Sequence, residues 1–134
     1  MTDTLQAAAD RLDADHIGWL TTVSRAGQPQ ASPIWFLWHD DHIWLRSQPA
    51  VAKVANIRAN PKVAFHLDGD GQGGHVVTAE GTAELVDELP DGVRVAYLAK
   101  YGTVIKERLR STLQQLEADY PISIRITPTR ARAW

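Results

Sequence analysis

Residues 28–38 read Gln28-Pro29-Gln30-Ala31-Ser32-Pro33-Ile34-Trp35-Phe36-Leu37-Trp38, and the fold turns on how this stretch is taken. Its apolar and aromatic content predicts an extended strand. Pro33 sits in the middle and has no N–H to give to a ladder. The strand is therefore an edge, carries a bulge, or turns part of its backbone toward something other than a neighbouring strand. Upstream, Ile17, Trp19, Thr21 and Val23 alternate with Gly18, Leu20 and Thr22, which predicts a strand over His16–Ser24. Ser24-Arg25-Ala26-Gly27 is a turn, because Gly27 reaches a positive φ at little cost. The two strands form a hairpin.

Working outward, His39-Asp40-Asp41-His42 is a second turn and Ile43–Ser47 a third strand. Gln48-Pro49 breaks the sheet, and Ala50–Ala59 is a short helix stopped by Asn60-Pro61. Val63–Leu67 is a fourth strand. The loop Gly69–Gly74 leads to a fifth strand, His75–Val86, in which Gly81 marks a bulge or tight corner. Before the hairpin, Leu5, Ala8, Ala9 and Leu12 predict a helix over Thr4–Ala14. Near the other end, Leu89–Lys100 and Thr103–Ala118 are two helices divided at Gly102. The second carries an apolar stripe of Ile105, Leu109, Leu113 and Leu116. Ile122–Thr127 is a sixth strand, and Pro128–Trp134 is a basic tail. Hairpin-linked strands with short helices between them give a mainly β, α+β chain, a closed or nearly closed antiparallel barrel.

The 134 residues form one domain, 1–134, with 44% hydrophobic and 22% charged residues, ordinary for a globular chain. There is no cysteine, which excludes disulfides, thiolate metal sites and a cysteine nucleophile, and fits the cytoplasm. No apolar run reaches the length of a membrane span, and Met1-Thr2-Asp3-Thr4 lacks the basic start of a signal peptide. A net charge of −2 argues against a nucleic-acid partner. The charge is unevenly spread. His42–Leu67 holds Arg46, Lys53, Arg58 and Lys62 and no acid. Asp68–Asp91 holds seven acids and no Lys or Arg. The cationic stretch is either a local anion site or a solvated basic face.

Arg46 and Ser47 end a strand, and Lys53 falls in the first turns of the next helix. A strand end followed by a helix N-terminus offers free N–H groups, and a hydroxyl and an ammonium there complete a cradle for phosphate. Of the five tryptophans, Trp35 and Trp38 have opposite parity on one strand. One can enter the core while the other meets a second chain or a planar ligand. The five histidines flank turns and loops without metal-ligand spacing, so no metal site is expected. No Gly-x-Ser-x-Gly, raised-pKa carboxylate pair or phosphate-binding glycine loop appears, and no catalytic side chain is assigned. A cofactor would carry the reaction.

The order of these segments resembles the split β-barrel flavin and deazaflavin oxidoreductases, the pyridoxamine-phosphate-oxidase-like superfamily. The resemblance rests on Ile17–Thr22, Gly27–Phe36, Ile43–Ser47, Lys53–Ile57 with Asn60–Val63, and Ala79–Ala83. It implies a six-stranded antiparallel split barrel of the FMN-binding type. Pro33-Ile34-Trp35-Phe36 is most similar to the branch that uses coenzyme F-420, an 8-hydroxy-5-deazaflavin, with FMN the alternative. It further implies a homodimer with the cofactor in a groove between the chains. Ser32, Pro33, Ile34 and Trp35 would run along the ring. Ser47, Ala52 and Lys53 would hold the phosphate, while Arg46 and Arg58 meet the acidic tail. A second chain would close the site near His75 and Val76. The implied activity is hydride transfer between F-420 and a small electron-poor acceptor. Alternatives are an FMN-binding oxidoreductase and a non-catalytic deazaflavin, flavin or haem carrier.

Overall fold

The computed structural model describes residues 2–134, with the side chain of Thr2 left aside. The sheet has seven strands: β1 (Gly18–Val23), β2 (Pro29–Ile34), β3 (Leu37–His39), β4 (His42–Ser47), β5 (Lys62–Leu67), β6 (Val77–Val86) and β7 (Ile122–Ala133). All pairs are antiparallel, in the order β2-β1-β5-β6-β7-β4-β3. The two ends of that order, β2 and β3, are consecutive in the chain and separated only by Trp35 and Phe36. The sheet must therefore curl until its edges approach.

The sequence predicts six strands, with residues 28–38 as one of them. The strand divides because helix α4 (Asp91–Thr103) takes the backbone of Phe36. Its N–H donates to the Tyr101 hydroxyl at 2.9 Å, and its carbonyl accepts from Lys100 Nζ at 3.0 Å. Neither group is left for a ladder. Pro33 lies on the edge strand β2, opposite Trp19.

Three further expectations change. The N-terminal helix is two, α1 (Thr2–Ala7) and α2 (Ala9–Ala14), with Leu5 and Leu12 fully buried. After α3 (Ala52–Ala59), the C-terminal helices do not divide at Gly102. Helix α4 (Asp91–Thr103) runs through it into a π-turn at Val104–Arg108. The chain then breaks, with Arg110 at φ 50°, before the short α5 (Leu113–Asp119). The basic tail is β strand. β7 continues to Ala133, and Trp134 exchanges backbone bonds with Val76. The register slips between Glu80 and Gly81, where Gly81 faces Pro128. A Cβ on Gly81 would lie 2.4 Å from the Thr127 carbonyl oxygen, so only glycine fits the bulge.

Two apolar clusters result. Leu20, Phe36, Ile43, Leu45, Phe65 and Ile124 fill the barrel. Leu37, Trp44, Tyr97, Tyr101, Ile105 and Leu116 lie between the outer face of β3–β4 and the helices α4 and α5. Among the described residues, no helix is long and apolar enough to cross a membrane.

Candidate cofactor-binding site

Alternation along β4 divides its residues between these clusters. Ile43 and Leu45 face the barrel, and Trp44 faces the helical layer. By the same parity Arg46 points toward the helices and Ser47 toward the barrel. The turn after Ser47 delivers α3, whose Val54 and Ile57 are buried. Its N-terminus has no side-chain cap. The helix is pinned by Asn56, buried, whose Nδ2 donates to Thr22 Oγ1 at 2.9 Å and Gln30 Oε1 at 2.8 Å. That amide ties α3 to both strands of the first hairpin. Lys53 lies one turn earlier.

The crossing from β2 to β3 is equally fixed. Trp35 stacks on Tyr101 with ring centroids 4.6 Å apart and planes 4° from parallel. The Tyr101 hydroxyl lies 2.7 Å from the His16 carbonyl and 2.9 Å from that of Phe36. Lys100 Nζ also donates to the Leu12 carbonyl at 2.8 Å and sits 3.8 Å over the Phe36 ring. Burial pulls this ammonium down to about 8 and pushes the Tyr97 and Tyr101 hydroxyls up.

Between these supports lies a cavity of about 300 Å³. Pro33, Ile34 and Trp35 line one side, and Arg46 and Lys53 supply its cations. Tyr97 of α4, Leu109 of the break, and Leu116 and Tyr120 of the α5 region cover it. The Arg46 side chain is only 7% exposed and pairs with Glu117 at 2.6 Å. Lys53 has no ion pair among the described residues, and its pKa is lowered by burial. Aromatic walls with two convergent cations suit a flat heterocycle bearing an anionic group. The donor set fits the phosphate-bearing end of a flavin or deazaflavin.

Of the residues expected to form the site, the cavity gathers Pro33, Ile34, Trp35, Arg46 and Lys53. Six others lie outside its lining. Ser32, half-buried, shares the parity of Ile34. Ser47 is buried, and its hydroxyl donates to the Gln48 carbonyl at 3.0 Å. Ala52 and Arg58 are exposed on α3. His75 is exposed, at φ 53°, and its carbonyl accepts from Arg11. Val76 is half-buried beside Trp134 and is likewise outside the lining. Sequence reasoning missed the cover: Tyr97, Leu109, Leu116, Tyr120, and Glu117 behind them. Leu109 and Leu116 were visible as an apolar stripe, but a stripe does not reveal that a cavity lies beneath it.

A curled antiparallel sheet whose edges meet at an aromatic, cationic cavity defines a flavin-binding split barrel. The chain belongs to the pyridoxamine 5′-phosphate oxidase family, whose profile matches residues 4–134. Solved structures agree. The conserved hypothetical protein Rv2991 of Mycobacterium tuberculosis is 28% identical, with a TM-score of 0.74, over 96% of this chain and 82% of that one. An F420 reductase is 27% identical, with a TM-score of 0.65, over 90% and 92%. An FAD-binding protein of Mesorhizobium loti is 25% identical, with a TM-score of 0.66, over 95% and 89%. No curated protein matches the chain. Among the described residues, no three His, Cys, Asp or Glu side chains are grouped to hold a metal ion.

Proposed function

We propose that the protein is an F-420-dependent reductase that works in the cytoplasm as a homodimer. One observation carries the reading: a single cavity joins the Pro33–Trp35 strand to Arg46 and Lys53. When bound, the deazaflavin supplies a hydride to an electron-poor organic acceptor, which takes its proton from solvent. The chain's own part is orientation and exclusion of water. Trp35, held flat by Tyr101, gives the ring a rigid wall. Lys53 meets the phosphate, with Ser32 and Ala52 at the margin, and Arg58 extends the cationic surface toward an acidic tail. Tyr97, Leu116 and Tyr120 keep the site dry.

The dimer is supported by the sheet's outer face. Pro33, Trp19, His66, Thr78 and Arg132 are in register across five strands. Trp19 stacks on exposed His66 with the planes 8° apart. A second copy on this face would bring a strand at His75 and Val76 to the cavity rim. Light scattering should give twice the monomer mass. A monomer with full cofactor affinity would count against this arrangement.

Fluorescence titration with F-420 and with FMN tests the cofactor. Tighter binding of F-420 is expected, and tight FMN with no F-420 binding sinks the assignment. Lys53→Ala should cost about 1–3 kcal/mol of cofactor affinity, the worth of a charge-assisted contact. Unchanged affinity removes Lys53 from the site. An FMN- or FAD-dependent enzyme is the second reading, favoured by similarity to the Mesorhizobium FAD-binding protein.

A further inference from the structure

Two cations line the cavity, and one carboxylate stands behind one of them. Arg46 donates through Nη2 to Glu117 Oε2 at 2.6 Å and through Nη1 to the Tyr120 carbonyl at 3.2 Å. Arg94 of α4 forks onto the same carboxylate, with Nε at 2.8 Å from Oε2 and Nη2 at 2.8 Å from Oε1. Hydrogen bonds from Arg94 first, then the charge of Arg46, hold Glu117 below the usual carboxylate range despite some burial. The carboxylate is therefore ionised throughout the neutral range. Arg46 is nearly enclosed, so its pairing is little screened. Arg94 is 42% exposed and outside the cavity lining, where water and salt screen its charge. Of the two lining cations, Arg46 has a carboxylate at contact distance, shared with Arg94, and Lys53 has none among the described residues. Within the lining, Lys53 is therefore the cation left to meet a ligand's charge without a competing carboxylate.

Resting on the reading of this cavity as a flavin or deazaflavin phosphate site, we propose that Glu117 sets the charge class of the ligand. The site is matched to a phosphodiester, with one negative charge, and selects against a phosphomonoester, which carries about 1.5 to 2 at neutral pH. Glu117 neutralises Arg46 and repels the second charge. Because Arg94 holds the carboxylate independently, Glu117 stays charged and in place while Arg46 faces a ligand. F-420 carries a phosphodiester and FMN a phosphomonoester, so at the phosphate one residue far along the chain from the phosphate-binding segment discriminates between the two cofactors.

FMN and its monomethyl phosphate ester share one ring and differ by that charge. Both are titrated by flavin fluorescence, beside F-420, with the wild type, Glu117→Gln and Arg94→Gln. The wild type should prefer the ester. Glu117→Gln should raise FMN affinity relative to the ester by about tenfold, as expected for loss of one weakly screened charge. Arg94→Gln breaks the same clamp between α4 and α5 but keeps the carboxylate. It should leave the ratio within about twofold or move it against FMN. An unmoved ratio in Glu117→Gln, or an equal rise in Arg94→Gln, overturns the role of Glu117 and leaves the cofactor reading standing. A measurement on the wild type alone guards against a misfolded variant. The FMN phosphate loses its second proton near about pH 6. FMN affinity relative to the ester should therefore fall between pH 5 and pH 7.5, and a constant or rising ratio overturns the proposal. Failure of the wild type to bind F-420, FMN and the ester alike overturns the cofactor reading, and this inference with it.

Discussion

Two regions meet at the cavity and are built differently. One is the floor, from β4 through the turn into α3. The other is the cover, from α4 through the π-turn to α5. The floor is regular and local: a strand, a turn and an eight-residue helix place Arg46 and Lys53 within one continuous segment. The cover is irregular and anchored at a distance. Tyr101 grips Phe36, 65 residues away in sequence, and Glu117 grips Arg46, 71 residues away. A floor of this kind is specified by neighbours in the chain. A cover of this kind is specified by which polar groups happen to be waiting when it docks. Leu109, beside the break, is 47% exposed.

The largest effect that would sharpen this contrast lies at the distant anchor. Tyr101→Phe removes the hydroxyl that accepts from the buried Phe36 N–H, leaving that donor without a partner. Urea denaturation should show a loss of about 2–3 kcal/mol. A loss below about 0.5 kcal/mol would mean that the crossing between β2 and β3 holds itself.

An intermediate effect is expected on the floor. Asn56→Ala loses both amide bonds from α3 to the first hairpin. The fold should weaken by about 1–2 kcal/mol. Cofactor affinity should fall as well, because Lys53 rides on the loosened helix. Weakened stability with unaltered affinity would show that Lys53 is placed by the turn rather than by the helix.

A pH-dependent effect is expected at Lys100, damped by its partial exposure. Its folded pKa is lowered to about 8 from 10.5 by burial, so between those values the unfolded chain binds more protons. Stability gained from this group therefore rises with pH across that window. The neutral amine still has N–H groups for the Leu12 and Phe36 carbonyls. Relative to Lys100→Met, the wild type should gain stability from pH 8 to about 10. A flat or falling difference would place the charged ammonium as the favoured form.

The legible part of the fold was its local part. Gly27 at φ 88° turns the first hairpin, and the slip at Gly81 marks the bulge. Pro33 did fall on an edge strand. The seventh strand was not legible, because nothing in Trp35-Phe36 announces that Tyr101 and Lys100 will claim a backbone group. The tail departs from its sequence reading for a related reason. Pro128 looks like the end of a strand, yet opposite the bulge at Gly81 it is tolerated, and β7 runs on to Ala133. At the site, Lys53 and the Pro33 strand were recognisable by chemistry. Ser47 adjoins Arg46 in sequence, yet alternation in β4 sends them to opposite faces.

By itself the sequence determined the hairpins, the position of α3 and the acid-free stretch that carries the two cations. Each depends on residues a few positions apart, whose turn geometry and periodicity act before the chain is compact. Only the tertiary structure decided that the sheet's ends meet at Phe36, that Tyr97, Leu116 and Tyr120 cover the cavity, and that Glu117 pairs with Arg46. Those outcomes depend on groups brought together from opposite ends of the chain, and burial rather than local preference selects among them.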